Sequence, residues 1–255
     1  MNSLPGTASR RRIFLMRHGH VDYFNNGTVV ADPRLVHLTE HGRAQARAAG
    51  IIMSKLRFDR AICSGLPRTY ETAALVLGAQ NEAPFLEIDP ELEEIHVGRA
   101  ADSHGQAPPP MDAKAMTLLF ERADLPGMRM GPGGELFQSA FERAIGTIER
   151  LLAQPGWSRA LIVAHGGINR MILGWMTGGG LSAMSVFEQD LACINILDFD
   201  VESDHDEDEE DFSDESIAVV TRKIIKGTNL TADNAVKIGM YLTSTETIFK
   251  TGLGR

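Results

Sequence analysis

The sequence predicts an α/β protein, a three-layer sandwich in which a mostly parallel central sheet is flanked by helices. Short apolar segments of strand length alternate along the chain with longer segments of helical period, which is the pattern of βα units. Two of the apolar segments end in a histidine followed by a glycine. Ligand-binding residues gather at the carboxyl ends of strands in parallel sheets, so both segments fit this architecture.

Each strand is predicted from a short apolar run that is rich in β-branched or aromatic residues. The runs include RIFLMR, ALIVA and ACINILDFD, and they are separated by segments of helical or turn composition. The predicted strands are residues 12–17, 59–63, 85–88, 160–164, 192–200 and 217–225.

Each helix is predicted from apolar residues spaced three or four apart and from residues that suit its ends. Thr39 is the expected N-cap of the first helix, and Pro67 suits the first turn of the second. The predicted helices are residues 39–56, 67–78, 134–153 and 166–177. The apolar face expected for the first helix comprises Ala44, Ala48, Ile51, Ile52 and Leu56.

We predict a single domain over residues 1–255, with three segments that depart from the α/β pattern. Residues 1–10 are expected to form a flexible N-terminus. Residues 98–133 are rich in glycine and proline around a short helical piece, which indicates a lid-like excursion over a site. Residues 201–216 are expected to form a solvated acidic loop between the last two strands.

The composition, 43% hydrophobic and 23% charged, is that of an ordinary globular protein. Ten acidic residues lie within residues 202–215, so the net charge of −9 becomes +1 without them. This nearly neutral body argues against a nucleic-acid partner, and the short apolar runs argue against a membrane. Cys63 and Cys193 lie in apolar segments and are expected to be buried free thiols. Free thiols are typical of a reducing compartment, and the sequence shows no secretory signal, so a cytoplasmic location is predicted.

Charged side chains follow several predicted strands at the point where each strand ends. One strand runs into RHG (residues 17–19) and another into HGG (residues 165–167). Arg68 lies in the first turn of a helix after a third strand, and its fork of donors suits a phosphate or carboxylate. The segment ELEEIHVG (residues 91–98) supplies carboxylates after a fourth. The sequence therefore predicts an anion site at one edge of the sheet, beside a group that can donate a proton.

These segments, taken in order, resemble the histidine phosphatase superfamily, also called the phosphoglycerate mutase-like family. RHG resembles its defining motif, and CSGLPRTYETA resembles the segment that carries its second arginine. LEEIHVG resembles the segment of its acid, and VAHGG resembles the motif of its second histidine. LTEHGRAQA and PGGELFQSAFER match connecting segments, so the resemblance covers about residues 12–198. RHG alone would be weak, but ordered matches make the resemblance specific.

The resemblance implies a phosphoglycerate mutase-like fold and a metal-independent phosphomonoesterase that needs no cofactor. His18 would attack phosphorus and form a phosphohistidine, and Glu94 would protonate the leaving group. The helix N-terminus at Gly166 would favour the anion. The expected catalytic residues are His18, Glu94, His165, Arg17 and Arg68. The expected substrate-binding residues are Arg17, Asn25, Arg68, His165 and Gly166.

The chain departs from the family pattern at several positions. His20 replaces an acidic residue that often follows the triplet, and we interpret it as a pocket-rim or hydrogen-bonding residue. Phe24 stands where the family often has a phosphate-binding asparagine, so Asn25 is assigned that role. Gly134-Glu135-Leu136 replaces a Gly-Glu-Ser pattern, which removes a hydroxyl contact.

Several alternatives stay open. Glu91 and Glu93 compete with Glu94 as the acid, and His96 and His104 are candidates for lining the substrate side of the cleft. A phosphoglycerate mutase-type phosphoryl transferase, or a binding module that uses the acidic loop, would be a different function. A zinc hydrolase is disfavoured because two converging arginines would repel a cation. The expected partner is a phosphorylated small molecule, with a protein phosphoester and a homo-oligomer left open.

Overall fold

The computed structural model of the chain describes residues 10–25, 28–29, 32–98, 113–203 and 218–232. The strands are β1 (Arg10–Arg17), β2 (Phe24–Asn25), β3 (Thr28–Val29), β4 (Arg60–Cys63), β5 (Leu86–Ile88), β6 (Arg159–Ala164), β7 (Ile194–Ser203) and β8 (Ala218–Leu230). The α-helices are α1 (Glu40–Met53), α2 (Pro67–Leu77), α3 (Ala113–Glu121), α4 (Phe137–Ala153) and α5 (Gly166–Thr177). Short 3₁₀ turns cover Pro33–Leu35, Pro90–Leu92 and Gly180–Val186.

Six strands form one sheet in the order β5-β4-β6-β1-β7-β8, and β2 pairs with β3 separately. β5, β4, β6 and β1 are parallel neighbours. β7 pairs antiparallel with β1 on one side and with β8 on the other. The predicted α/β fold with a mostly parallel sheet is therefore confirmed, and β1 lies at its centre.

Alternating residues of β1 divide the apolar core into two layers, because successive side chains of a strand point to opposite faces. Ile13 and Leu15 belong to the cluster formed with α4 and α5. Phe14 and Met16 belong to the cluster formed with α1 and α2. All four residues are at most 4% exposed, so the strand is covered on both faces and the three-layer sandwich is confirmed.

The ends of several elements differ from the prediction. β1 already begins at Arg10, where the Arg10 guanidinium donates to both carboxylate oxygens of Asp200 at 2.7 and 3.1 Å. β7 continues to Ser203, so the strand extends into the stretch expected to be an acidic loop. β8 continues to Leu230. Pairing with neighbouring strands extends these elements beyond what local composition indicates.

The buried face of α1 is not the one predicted. Ile51 and Ile52 are 70% and 58% exposed, and Ala44 is also exposed. The predicted N-cap is correct, since the Thr39 hydroxyl accepts from the Gly42 N–H at 3.1 Å. The residues that α1 buries are Gly42, Ala46, Ala49, Gly50 and Met53. Small residues let α1 approach α2 closely, and a pattern of large apolar residues does not reveal such a face.

The helix expected over residues 134–153 begins only at Phe137. Leu136 forms an isolated β-bridge with Arg129, and the chain turns before the helix starts. The described part of the predicted excursion packs on the body of the protein, because Phe120 and Met130 are buried in the same cluster as α4. Residues 1–9, 99–112 and 204–217 lie outside the described residues.

The apolar helices of the structure are core elements. None of the helices in the described ranges has the length and apolarity needed to cross a bilayer.

Cys63 and Cys193 are both buried free thiols, as predicted. Burial raises the pKa of the Cys193 thiol to about 12.

Candidate active site

The carboxyl ends of β1, β4 and β6 meet at one edge of the sheet because these strands are parallel neighbours. The residues at or just after these ends include Arg17, His18 and His165, which are 6%, 2% and 0% exposed. The imidazole rings of His18 and His165 lie 5.3 Å apart between centroids, at an interplanar angle of 62°. The structure thus brings the two predicted histidines together in a buried cluster.

His18 has a defined orientation at the end of β1. Its backbone N–H donates to the Ala164 carbonyl at 3.2 Å, and its own carbonyl accepts from the Ala192 N–H at 3.1 Å. The ring Nδ1 lies 2.8 Å from the Gly19 carbonyl oxygen. A carbonyl oxygen only accepts, so Nδ1 carries the hydrogen and donates it. In the neutral ring Nε2 then keeps a free electron pair.

His165 is the N-terminal flanking residue of α5 and is held through the other ring nitrogen. Its Nε2 lies 2.8 Å from the Ser64 hydroxyl oxygen. Burial, followed by the positive charges of Arg68 and Arg17, lowers the pKa of His18 well below its usual range. Burial, followed by Arg68, His18 and Arg17, does the same to the pKa of His165. Both rings are therefore neutral at pH 7 in the absence of an anion.

Arg68 is the second residue of α2 and is 4% exposed. Its Nη1 donates to the Pro33 carbonyl at 2.9 Å, which ties it to the turn that leads into α1. Its guanidinium carbon lies 5.9 Å from the ring centroid of Tyr23. Arg17 is fixed in a similar way, because its Nη1 donates to the Gln189 carbonyl at 2.6 Å. Each arginine is thus oriented by a backbone carbonyl that lies far away in the sequence.

Three buried nitrogens of this cluster have no hydrogen-bond partner within the described ranges. They are Nε of Arg17, Nε of Arg68 and Nδ1 of His165. Buried polar atoms are normally paired, so unpaired nitrogens gathered in one cluster indicate a place prepared for a ligand. The two guanidinium groups in the set favour an anion as that ligand, and so does the N-terminus of α5.

Glu94 lies beside this cluster, where its carboxylate meets the N-terminus of α5. One oxygen accepts from the Gly167 N–H at 3.1 Å, and the other accepts from the Ile95 N–H at 3.1 Å. Among the three glutamates considered in the sequence, Glu94 is the one with this contact to α5. Glu93 instead forms an ion pair with Arg34 at 2.9 Å, and Glu91 is exposed.

Two glycines are required by this close packing. A Cβ atom on Gly167 would lie 2.5 Å from a Glu94 carboxylate oxygen. A Cβ atom on Gly19 would lie 2.5 Å from the Gly42 carbonyl oxygen, where the loop after β1 meets the first turn of α1. Both distances are shorter than real Cβ contacts, so a side chain at Gly19 would displace the loop after β1, and a side chain at Gly167 would displace the Glu94 carboxylate.

The segment that carries Glu94 is held from its other side by a partly buried ion pair, Glu135–Arg143, that sequence analysis did not identify. The Arg143 guanidinium donates to both carboxylate oxygens of Glu135 at 2.7 and 3.0 Å and also to the Glu91 carbonyl. The Glu135 carboxylate accepts from the His96 N–H at 3.0 Å. Burial alone would raise the pKa of Glu135, but the hydrogen bonds from Arg143 and His96 outweigh it and lower that pKa. The Glu135–Arg143 pair therefore fixes the chain on both sides of Glu94.

A polar network behind Arg17 was also not predicted. The side chain of Gln189, whose carbonyl holds Arg17, bonds to Asn169 at 3.1 Å and to Asn195 at 2.9 and 3.0 Å. Arg170, 5% exposed, donates to Glu188 at 3.3 Å and stacks 5.2 Å from the ring centroid of Phe120. Burial lowers the pKa of Arg170. These contacts join residues that no local pattern connects.

The remaining predicted residues take peripheral places. The ring Nδ1 of His20 lies 2.9 Å from the Thr39 hydroxyl, and its backbone N–H donates to Gln45 at 2.9 Å, in line with the hydrogen-bonding role expected. His96 is exposed and lies 3.4 Å from Glu93. Asn25 is in β2, and its side chain lies outside the described part of the structure, as does His104. In the described part, no group of three His, Cys, Asp or Glu side chains is arranged to hold a metal ion.

Comparison with known proteins agrees with this geometry. The family model of the histidine phosphatase superfamily (branch 1) matches residues 13–205. A glucosyl-3-phosphoglycerate phosphatase of Mycobacterium tuberculosis is 29% identical over 175 residues, which cover 62% of this chain and 71% of that protein. The adenosylcobalamin/alpha-ribazole phosphatase of Escherichia coli is 27% identical over 190 residues, which cover 73% of this chain and 89% of that protein.

The fold is similar to solved structures as well. A mycobacterial glucosyl-3-phosphoglycerate phosphatase in complex with VO3 aligns with a TM-score of 0.62 and 24% sequence identity. The alignment covers 86% of this chain and 99% of that chain. The central sheet and the helices on its two faces are therefore a known arrangement.

Proposed function

The chain belongs to the histidine phosphatase superfamily and is a phosphatase of that family, and we propose that it hydrolyses phosphate monoesters through a phosphohistidine on His18. The observation that carries this proposal is the orientation of His18. Its Nδ1 donates to the Gly19 carbonyl at 2.8 Å, which leaves Nε2 unprotonated as a nucleophile. Burial and two neighbouring arginines keep the ring neutral by lowering its pKa.

The phosphate would bind to the unpaired nitrogens of Arg17, Arg68 and His165, which together we call the anion cradle. Fixed donors around the equatorial oxygens stabilise the charge of the transition state without any rearrangement of the site. Because these groups supply the positive charge, the proposed reaction needs no metal ion. Asn25 stays a predicted phosphate ligand. In our proposal the N-terminus of α5, which begins at Gly166 and Gly167, faces the anion.

His18 Nε2 attacks phosphorus, and the bond from phosphorus to the ester oxygen breaks. In our proposal Glu94 gives its proton to the departing alkoxide and becomes a carboxylate. The carboxylate then takes a proton from a water molecule, which attacks the phosphohistidine and releases inorganic phosphate. The contact of Glu94 with α5 supports this role, since its carboxylate oxygen lies 3.1 Å from the N–H of Gly167, two residues after His165.

The substrate class we propose is a phosphorylated small molecule. The curated relatives are named for glucosyl-3-phosphoglycerate and for alpha-ribazole, which are different small molecules. The two segments next to the cradle form a mixed rim: the Arg34–Glu93 ion pair adjoins Pro33, which holds Arg68, and Glu94, while Leu35 and Val97 of the same segments are exposed. This mixed rim favours a substrate that is larger than inorganic phosphate and not uniformly charged.

The test is hydrolysis of p-nitrophenyl phosphate and of a panel of phosphorylated metabolites by the purified full chain. We expect turnover that survives EDTA, is inhibited by vanadate and yields a phosphoprotein that is acid-labile and base-stable. Loss of activity with EDTA would contradict the metal-free mechanism. Transfer of the phosphoryl group to a second phosphorylated metabolite, faster than to water, would identify a mutase instead.

A further inference from the structure

The hydrogen bonds of His165 continue into a chain of two hydroxyl groups. The Ser64 Oγ lies 2.8 Å from His165 Nε2 and 2.8 Å from the Thr69 Oγ1. The Thr69 hydroxyl in turn lies 2.8 Å from the Leu66 carbonyl oxygen. Ser64 and Thr69 are 1% and 0% exposed, so no solvent competes for these bonds.

The direction of this chain is fixed at its far end. The Leu66 carbonyl can only accept, so the Thr69 hydroxyl uses its hydrogen there. Thr69 must then accept from Ser64, because each hydroxyl has a single hydrogen. Because the Ser64 hydroxyl donates its only hydrogen to Thr69, it must accept a hydrogen bond from His165. Nε2 of His165 therefore carries a hydrogen, and in the neutral ring Nδ1 does not.

The free Nδ1 belongs to the anion cradle. It is one of the cradle's three buried nitrogens that have no partner in the described residues, and the other two are Nε of Arg17 and Nε of Arg68. The charged and titratable groups around the ring are Arg17 at the end of β1, His18 directly after it, Arg68 from α2, Arg143 from α4, and Glu94, which contacts the N-terminus of α5.

We propose that Ser64 and Thr69 are positioning residues that keep the hydrogen of neutral His165 on Nε2, so that Nδ1 takes up a proton from solvent when a phosphate dianion binds. This proposal rests on the proposed function only in that the cradle binds phosphate. A lone pair on Nδ1 would repel a phosphate oxygen, whereas a protonated Nδ1 donates a charge-assisted hydrogen bond to it. The proton is released again when the phosphate leaves.

Burial and the arginines support this order of events. Burial, then Arg68, His18 and Arg17, lower the pKa of free His165, so the empty site holds a neutral ring. A bound dianion offsets the two arginine charges and favours the imidazolium. Binding and proton uptake are thereby coupled, and the affinity for a dianion falls as the pH rises above neutrality.

The experiment uses tungstate, a dianion that does not itself titrate near neutral pH. Calorimetric titrations of the full chain in buffers of different ionisation enthalpy report how many protons are taken up per tungstate bound. Glu94→Gln combined with His18→Asn removes the two other groups that could take a proton, and in that background we expect uptake of about one proton at pH 7.5. No uptake in this double variant would overturn the proposal.

Thr69→Val is the decisive variant because it keeps the shape of the buried side chain. Without the Thr69 acceptor, the Ser64 hydroxyl can turn and donate to Nε2, which allows the neutral tautomer with hydrogen on Nδ1. We expect proton uptake to fall by at least half, while tungstate affinity falls no more than about 10-fold. Thr69→Ser keeps the hydroxyl and should match the wild type. Equal proton uptake in Thr69→Val and the wild type would contradict the relay.

Nitrogen NMR of the histidine rings tests the same inference directly, with His165→Gln used for assignment. We expect His165 to carry hydrogen on Nε2 alone in the free protein and on both nitrogens with tungstate bound. A hydrogen on Nδ1 in the free protein would overturn the proposal, as would a ring that stays neutral at saturation. Neither measurement depends on turnover, so a protein that binds tungstate with this change but hydrolyses no ester would refute the proposed function alone. A protein that binds no tungstate would refute both.

Discussion

The ends of β1 and β6 carry the same type of residue in the same surroundings, yet the two histidines are held in opposite ways. His18 donates from Nδ1 to the backbone carbonyl of Gly19. His165 is held at Nε2 by the Ser64 hydroxyl. The free nitrogen is therefore Nε2 in His18 and Nδ1 in His165.

In our proposal this difference gives two roles to one chemical group. The nitrogen that the protein leaves free decides what a histidine can offer, and that nitrogen is set by the partner of the other one. A carbonyl forces His18 to present an electron pair from its outer nitrogen, as a nucleophile needs. The chain of two hydroxyl groups, Ser64 and Thr69, leaves the inner nitrogen of His165 free, and we propose that this nitrogen meets the phosphate. Neither role follows from the residue type alone.

The largest expected effect is the loss of the nucleophile. His18→Ala should lower kcat by about 10⁵-fold and abolish the trapped phosphoprotein, because no other group can accept the phosphoryl. His165→Ala should lower kcat far less, by about 10²- to 10³-fold, and should still form the phosphoprotein. Rapid-quench trapping with a labelled ester separates the two variants. A phosphoprotein in His18→Ala, or none in His165→Ala, would break the proposed division of roles.

The next effect concerns the acid that α5 holds beside His165. Glu94→Gln keeps the size of the side chain but cannot release or take up a proton, so kcat should fall by about 10²- to 10⁴-fold. In this variant the rate of His18 phosphorylation should fall more with alkyl phosphates than with p-nitrophenyl phosphate, because the p-nitrophenolate leaving group departs without a proton. Burst kinetics with the two substrates measure this difference. An equal loss for both would remove Glu94 from the role of acid.

Local sequence patterns predicted the site residues that lie at strand ends, because Arg17, His18 and His165 follow apolar runs. They also predicted Arg68, which lies in the first turn of a helix. The same patterns missed the partners that orient these residues. Gln189 is 172 positions from Arg17, and the contact between Ser64 and His165 spans 101 positions. Such contacts depend on how the sheet brings elements together. The predicted face of α1 failed for a related reason, because close helix packing buries small residues and leaves the isoleucines exposed.

The two neutral histidines also make stability depend on pH. Their pKa values are lowered in the folded protein, whereas the unfolded chain titrates near pH 6.5. Below about pH 6.5 the unfolded state therefore binds protons that the folded state does not, and stability is lost as the pH falls. Each ring contributes a slope of up to about 1.4 kcal/mol per pH unit. Above pH 6.5 this contribution no longer changes with pH.

Urea unfolding between pH 5 and 7.5, in buffer without phosphate, measures this slope. The double variant His18→Asn/His165→Asn should show a slope smaller by up to about 2.7 kcal/mol per pH unit below pH 6.5. An unchanged slope in the double variant would mean that the rings are already charged in the folded protein. The two histidines would then not form a neutral pair in the folded protein, as their proposed roles require.

The Glu135–Arg143 pair should have a smaller effect, because it acts through the position of Glu94. Glu135→Gln removes the charge that binds Arg143 and weakens the bond to the His96 N–H, so we expect kcat to fall about 10-fold with KM nearly unchanged. Glu87→Gln is the matched control, since Glu87 also binds an arginine through both oxygens, at 2.6 and 2.7 Å from Arg60. Equal losses in the two variants would indicate a general effect on folding.

The smallest expected effect is at His20, two residues after the nucleophile. Its ring bonds to Thr39 at 2.9 Å and lies 5.6 Å from the His41 ring, so it joins the loop after β1 to α1. His20→Asn should cost about 1 kcal/mol of stability, the size of one hydrogen bond, and should change kcat less than about 3-fold. His41→Asn, at the exposed partner of this ring pair, should change neither quantity measurably. A loss of turnover in His20→Asn comparable to that in His165→Ala would place a third histidine in the catalytic site. A small loss would instead confirm that nearness in sequence to His18 confers no catalytic role on a ring whose bonds hold α1.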